Sequence, residues 1–300
     1  MPAQSVFFFF IDGLGLATPH ENNPLGFDLE SGLSELAECE TWTSDHFSVM
    51  SRAGLLRRGI DARLGVDGLP QSGTGQATIF SGVNCALLAG RHYGPYPHST
   101  SRSVLASANL YHKVGPNHSV FANAYPERFF SMSKKRDRWS TTTRCCLEAD
   151  IRIRTMEDLA SGEAIAADLT GKGLAGIASS QVIPISQHES AQRIVNLCES
   201  NRLVVAEYFH SDKAGHKQNH EMAASCLNSI GAFFSGLMTQ MDFSKMSIVV
   251  TSDHGNIEDL GTRSHTLNPV PLLVRGPAAA HFDDVRDLTG VADAIAASVS

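Results

Sequence analysis

Carboxylate and imidazole side chains gather in three short stretches of the C-terminal third: Asp212 and His216 in FHSDKAGHKQNH, Asp253 and His254 in TSDHGN, and His265 in SHTLNPVP. Asp12 stands at the other end of the chain, after the apolar run Val6 to Ile11 and before the turn Gly13-Leu14-Gly15. Carboxylate oxygen and neutral imidazole nitrogen together suit a divalent ion such as zinc or manganese, whereas a thiolate-rich set would indicate structural zinc. Asp212 and His216 are i and i+4, so a helical turn aims both side chains the same way. Asp253 and His254 follow Ile248-Val249-Val250, where a strand ends, the backbone bends and neighbours need not alternate between faces. Taken singly, each has a plainer role: an Asp-Gly ends a strand in a turn, and a lone His is most often a hydrogen-bonded core residue. Together they are expected to converge on one site at the edge of one sheet.

A hydroxyl belongs to the same set. Ser72, in LPQSGTGQATIFSG, lies in a Gly-rich turn ahead of a helical stretch, where free backbone N–H groups and the helix dipole favour an anion such as phosphate. Thr74 is the second hydroxyl there, and either residue could be only a helix cap. Lys213 and Arg263 stand beside the ligands and are expected to reach nonbridging phosphate oxygens, as is Asn84 after Ser81-Gly82. Arg91 joins them, although each of these cations is equally at home as a surface charge.

The order Asp12, Gly-flanked Ser72, Asp212-x-x-x-His216, Asp253-His254-Gly255, His265-Thr-x-Asn-Pro-Val-Pro resembles that of the alkaline phosphatase superfamily. The branch it is most similar to holds cofactor-independent phosphoglycerate mutase and phosphopentomutase. The combination is specific although each piece alone is weak. The resemblance implies two divalent ions, zinc or manganese. Asp12, Ser72, Asp253 and His254 would surround one, and Asp212, His216 and His265 would hold the other. It also implies that Ser72 is the nucleophile that becomes phosphorylated. The mutase pattern has Asn-Ser-Glu-Val-Gly-His here, whereas this chain has Gln71-Ser72-Gly73-Thr74-Gly75-Gln76. The segment between Asn84 and Leu203 is also short for the second domain the mutases carry. The expectation is therefore a phosphomonoesterase acting on a small phosphorylated metabolite. A phosphomutase is the alternative, and a noncatalytic metal- or phosphate-binding module is the reading from another class. The Cys-x-Pro-x-Arg signature of sulfatases is absent around Ser72.

The rest of the chain must position these residues. Its 300 residues, 42% apolar, suffice for one large core, and a single domain over 1–300 is expected. A net charge of −7 offers no footprint for nucleic acid, and Lys134-Lys135-Arg136-Asp137-Arg138 reads as a solvated loop. No apolar run approaches the ~18 residues of a membrane span, and Phe7 to Phe10 lacks the basic flank of a signal peptide. Six scattered Cys without disulfide or zinc spacing fit reduced thiols in a cytoplasmic protein. Oligomeric state is left open. Fully apolar runs alternating with helical patterns predict an α/β fold, a mostly parallel sheet with helices on both faces. Strands are expected near 5–11, 118–124, 203–209, 247–251 and 270–274, and helices near 74–81, 101–113, 187–199, 220–240 and 291–298. Phe47 to Val66 reads as an antiparallel accessory ribbon turning at Arg57-Arg58-Gly59. Residues 126–185, with a short helical stretch Gly162 to Leu169, are expected to form a small cap inserted over the strand ends and to select the substrate.

Overall fold

The run SVFFFFI is apolar on both faces, and in the computed structural model of the protein all seven of its residues are buried as the first strand, β1 (Ser5–Ile11). The described residues are 4–27, 29, 31–175 and 182–300, so positions 176–181 of the expected cap lie outside them. The other strands among them are β2 (Met50–Arg52), β3 (Leu55–Ile60), β4 (Ser119–Phe121), β5 (Ala124–Tyr125), β6 (Arg154–Thr155), β7 (Leu203–Tyr208), β8 (Met246–Thr251) and β9 (Val270–Arg275). One seven-stranded sheet runs β2-β3-β9-β8-β1-β7-β4, and β5 pairs with β6 separately. β8, β1, β7 and β4 are parallel, while β9 runs antiparallel to both β8 and β3.

Alternation along β1 divides the core into two layers. Phe8 and Phe10 pack with Ala77, Ile79 and Phe80 of the helix Ser72–Ser81 and with Val291 and Ile295 of the helix Val291–Ser298. Phe7 and Phe9 face Ile194 of the helix Gln187–Ser200 and Phe233 and Phe234 of the helix His220–Gln240. Helices thus cover both faces, as a buried parallel sheet requires. The helix His220–Gln240, with a mean hydropathy of 1.2, is long and apolar enough to cross a membrane, so one segment does reach the length the sequence reading excluded. Here that apolarity serves the core: Phe233 lies 5.3 Å from Phe9, ring to ring.

Several expectations are corrected. The antiparallel pair turns at Gly54, with φ of 78°, not at Arg57-Arg58-Gly59. It is no accessory ribbon, because β3 pairs with β9 from Leu55↔Arg275 to Ile60↔Val270. Arg57 and Arg58 can sit inside a strand because backbone carbonyls take the terminal Nη1 of each: Arg57 donates to Ala37 and Glu38, and Arg58 to Asp283 and Val285. The expected helix 101–113 is two, Ser99–Ala108 and Leu110–Val114, separated by Asn109, which caps the second. Gly162 to Leu169 is not helical; Ile165 bridges to Asn123 instead. The strand expected at 118–124 leaves the main sheet after Phe121 and resumes as β5.

The described residues of 126–185 divide among three packing units, and Ile165 and Leu169 join the layer that holds Phe7 and Phe9. Cys145 and Cys146 of the helix Thr141–Glu148, with Ile151 and Ile153, join the main core. Ala124, Leu159, Ala164 and Ala166 form a small cluster of their own.

Candidate metal centre

β7, β1 and β8 are neighbours in the sheet and point the same way, so their carboxyl ends open side by side, the usual ligand position in such sheets. Asp12 directly follows β1, its N–H extending the ladder to Tyr208 O at 2.9 Å. Gly13 then turns the chain with φ of 71°, and a Cβ there would lie 2.8 Å from Asp212 Cβ. After β7 the helix His210–His216 carries Asp212 and His216 on one side, with His216 Nε2 3.3 Å from Asp212 Oδ2. Asp253 and His254 follow β8 and are fully buried, and His265 comes from the loop before β9. Ser72 is the first residue of its helix, two residues earlier than expected, and its Oγ lies 3.0 Å from His254 Nε2.

The six ligand-type residues form two groups, Asp12 with Asp253 and His254, and Asp212 with His216 and His265; within each, the donor atoms lie within 4.8 Å of one another. The groups adjoin, since the His254 and His265 rings stack at 3.6 Å between centroids. Each imidazole is aimed by its other nitrogen. Nδ1 of His216 faces Arg263 O at 2.8 Å, Nδ1 of His265 faces Pro70 O at 2.7 Å, and Nδ1 of His254 faces Gly255 O at 3.4 Å. A carbonyl accepts only, so the proton sits on Nδ1 and the lone pair on Nε2 points into the site, the arrangement metal-binding histidines adopt.

The electrostatics call for a cation. Asp12 is pushed well above the usual carboxylate range by burial and then by the charges of Asp253, Asp212 and Glu207, and its buried Oδ1 has no hydrogen-bond partner. Burial also raises Asp253, against a hydrogen bond from Gln76 Nε2 at 3.0 Å. His254 is driven down to about 3 by burial and then by His265, so it stays neutral. Crowded carboxylates and an orphaned oxygen are costly alone and favourable around divalent ions, and the Nε2 atoms face the same space, so the residues present fit the metals expected of them.

Several supporting residues escaped the sequence reading. Asn256 Nδ2 donates to Asp212 Oδ1 at 2.7 Å. Glu258, fully buried, accepts from the N–H of Gly15 at 3.0 Å, the N–H of Asn256 at 2.7 Å, Asn268 Nδ2 at 3.1 Å and the Thr266 hydroxyl. It thereby ties the Asp12, Asp253 and His265 loops together. Glu258→Ala leaves those donors without their acceptor and is expected to cost roughly 3–5 kcal/mol, read as a lower urea midpoint at unchanged m-value. An unchanged midpoint would remove Glu258 from this role. Glu207, inside the apolar strand LVVAEY, was also missed; Thr142 Oγ1 at 2.5 Å and the Tyr125 hydroxyl both donate to it. A single acid in a fully buried run was the available signal.

Other candidates fall elsewhere. Thr74, the second possible nucleophile, is fully buried; its hydroxyl is bonded to backbone atoms of Gln71 and Tyr93, and the Tyr93 carbonyl also takes its N–H. Asn84 does not contact the site: it caps the helix Cys85–Ala89 beyond the far end of the Ser72 helix and donates to Leu64 O. Arg91 is exposed, 5.6 Å above the Tyr93 ring. Arg263 and Lys213 are near. Arg263 lines a cavity of about 400 Å³ with Gln71, Ser72, Asp212, His216 and His265, and Lys213 lines a second of about 500 Å³ that also reaches Asp12, Ser72 and Asp212.

A 2,3-bisphosphoglycerate-independent phosphoglycerate mutase of Halobacterium salinarum is 30% identical to the chain over 90 residues, 28% of this chain and 18% of that protein. One from Dinoroseobacter shibae is 34% identical over 86 residues, 26% of this chain and 17% of that protein. The match thus covers less than a fifth of the length of these curated relatives. In fold, the chain is similar to a cold-active alkaline phosphatase from a psychrophilic Shewanella, with TM-score 0.55 and 11% identity over 99% of this chain and 100% of that one. An alkaline phosphatase from the Antarctic bacterium TAB5 gives TM-score 0.52 and 12% identity over 100% and 99% of the two chains. Residues 4–299 match the family model of the Metalloenzyme superfamily. With its α/β fold and its carboxylate and imidazole clusters at the strand ends, the chain belongs to the Metalloenzyme superfamily, and its fold is alkaline phosphatase-like.

Proposed function

We propose that the protein is a metal-dependent phosphomonoesterase that acts on a small phosphorylated metabolite through a phosphoserine at Ser72. The observation that carries this is the placement of Ser72 Oγ at the start of its helix, 3.0 Å from His254 Nε2 and beside both ligand groups. Asp12, Asp253 and His254, with Ser72, would hold one divalent ion, and Asp212, His216 and His265 the other; zinc and manganese both suit these donors. Such ions supply Lewis acidity and lower the pKa of a neighbouring hydroxyl. Ser72 Oγ forms the bond to phosphorus as the ester oxygen leaves, and water cleaves the phosphoseryl bond afterwards. The helix N-terminus favours the phosphate, and Lys213 and Arg263 contribute charge from the two adjoining cavities.

Hydrolysis is favoured over mutase chemistry by the residues around Ser72. Gln76 is committed to Asp253, and Gly73 is confined by backbone, since a Cβ there would meet Tyr96 O at 2.1 Å. No acid or imidazole therefore stands at these two positions to return the phosphoryl group to a bound product. With manganese or zinc and a panel of phosphomonoesters, inorganic phosphate is expected to accumulate in step with substrate loss. An isomeric phosphoester without free phosphate would establish the mutase, and no turnover with any divalent ion would leave a binding module.

A further inference from the structure

The cavity of about 500 Å³ that reaches Ser72 is walled by Tyr96, Tyr125, Phe129 and Phe209. Tyr125 and Phe129 are held in place. Tyr125 stacks on Phe129 at 4.2 Å and 24°, Trp139 meets Phe129 edge-on at 5.8 Å, and the Tyr125 hydroxyl is bonded to Glu207. Lys213 Nζ lies 4.2 Å over the Phe209 ring. Among the described lining residues Lys213 is the one lysine or arginine, against Asp12, Glu207 and Asp212.

That chemistry discriminates between substrates. Asp12 and Asp212 are taken up by the ions they would hold, so the chamber's own character is set by its rings, and a polyol would lose water against aromatic faces. A flat ring would stack. Resting on the phosphoryl-transfer reading above, we infer that this chamber binds the alcohol half of the substrate, and that this half carries an aromatic or heteroaromatic ring. Phe129 and Tyr96 are then the specificity-determining residues, contributed by the segments after β5 and before the helix Ser99–Ala108. The phosphoryl group sits at Ser72, and the ring extends from it towards Phe129.

Comparing turnover of aryl and alkyl phosphates would confuse recognition with leaving-group reactivity, so the test uses phosphonates, whose P–C bond does not cleave. Calorimetric titration of the metal-loaded protein is expected to give a Kd for phenylphosphonate about ten- to a hundredfold below that for methylphosphonate. Phosphonoacetate, which presents a carboxylate instead, is expected to bind no better than methylphosphonate. In Phe129→Ala, and separately in the half-exposed Tyr96→Ser, the phenyl-to-methyl ratio is expected to fall towards one. Equal wild-type affinities, tighter binding of phosphonoacetate, or a ratio that both variants retain would overturn the inference while leaving the phosphatase reading standing. Failure of every phosphonate to bind would overturn both.

Discussion

Ser72→Ala is expected to lower turnover of p-nitrophenyl phosphate by a factor on the order of 10³ or more and to abolish the phosphoenzyme trapped by acid quench. The size follows from chemistry: alanine offers no oxygen to phosphorus, and what remains is metal-assisted attack by water. The fold has little reason to respond. Gln71, not Ser72, is the helix cap, and the Ser72 hydroxyl bonds to His254 Nε2, a lone pair that a cation would use in any case. Metal content should therefore stay close to wild type. Retention of turnover within about tenfold would make Ser72 a ligand rather than a nucleophile and replace covalent catalysis by direct water attack. Thr74→Val is the contrasting control. It leaves the Tyr93 N–H without its hydroxyl acceptor and costs about 1–2 kcal/mol of stability, with turnover largely preserved.

Removing the metals is expected to have the other large effect, on stability as well as activity. Ligands that bind only the folded state stabilise it by about 4 kcal/mol per site at a thousandfold excess over Kd. Two sites give roughly 8 kcal/mol, on the order of 10 °C in Tm for a chain of this size. Chelation also leaves Asp12, Asp212 and Asp253 facing one another, with Asp12 Oδ1 unpartnered. The expected result is a Tm lower by about 10 °C after chelation, restored by zinc or manganese at two ions per chain. Asp212→Ala should lose one ion and Asp253→Ala the other. A Tm indifferent to chelator, or a stoichiometry fixed at one that Asp212→Ala and His265→Ala leave unchanged, would defeat the two-ion reading.

The ligand set was legible before the fold because donor chemistry is a property of residue type. Asp, His and Ser at turn positions keep their meaning whatever surrounds them, and Asp212 and His216 share a side of their helix by local geometry alone. Strands β1, β7, β8 and β9 were legible for a related reason: a run as apolar as FFFF can only be buried. Positions whose role depends on a distant partner were not legible. Arg57-Arg58-Gly59 reads as a turn until the carbonyls of Ala37, Glu38, Asp283 and Val285 are brought to the guanidinium groups. Asn84 reads as a phosphate donor until it is seen capping a helix on the wrong side of Gly82. Glu207 and Glu258 looked unremarkable because an acid's task depends on which donors surround it, and theirs come from other loops.

Residue type and local spacing were enough for the donors, the helical pairing of Asp212 with His216 and the apolar strands that had to be buried. The assembled fold places β1 between β7 and β8, so that Asp12 and Asp253, from opposite ends of the chain, open at one edge of the sheet. It also places an aromatic wall from the segment after β5 over Ser72. Strand order and loop contacts are set by pairing and packing between residues far apart in the chain, and the local pattern of a sequence does not specify which distant segments will meet.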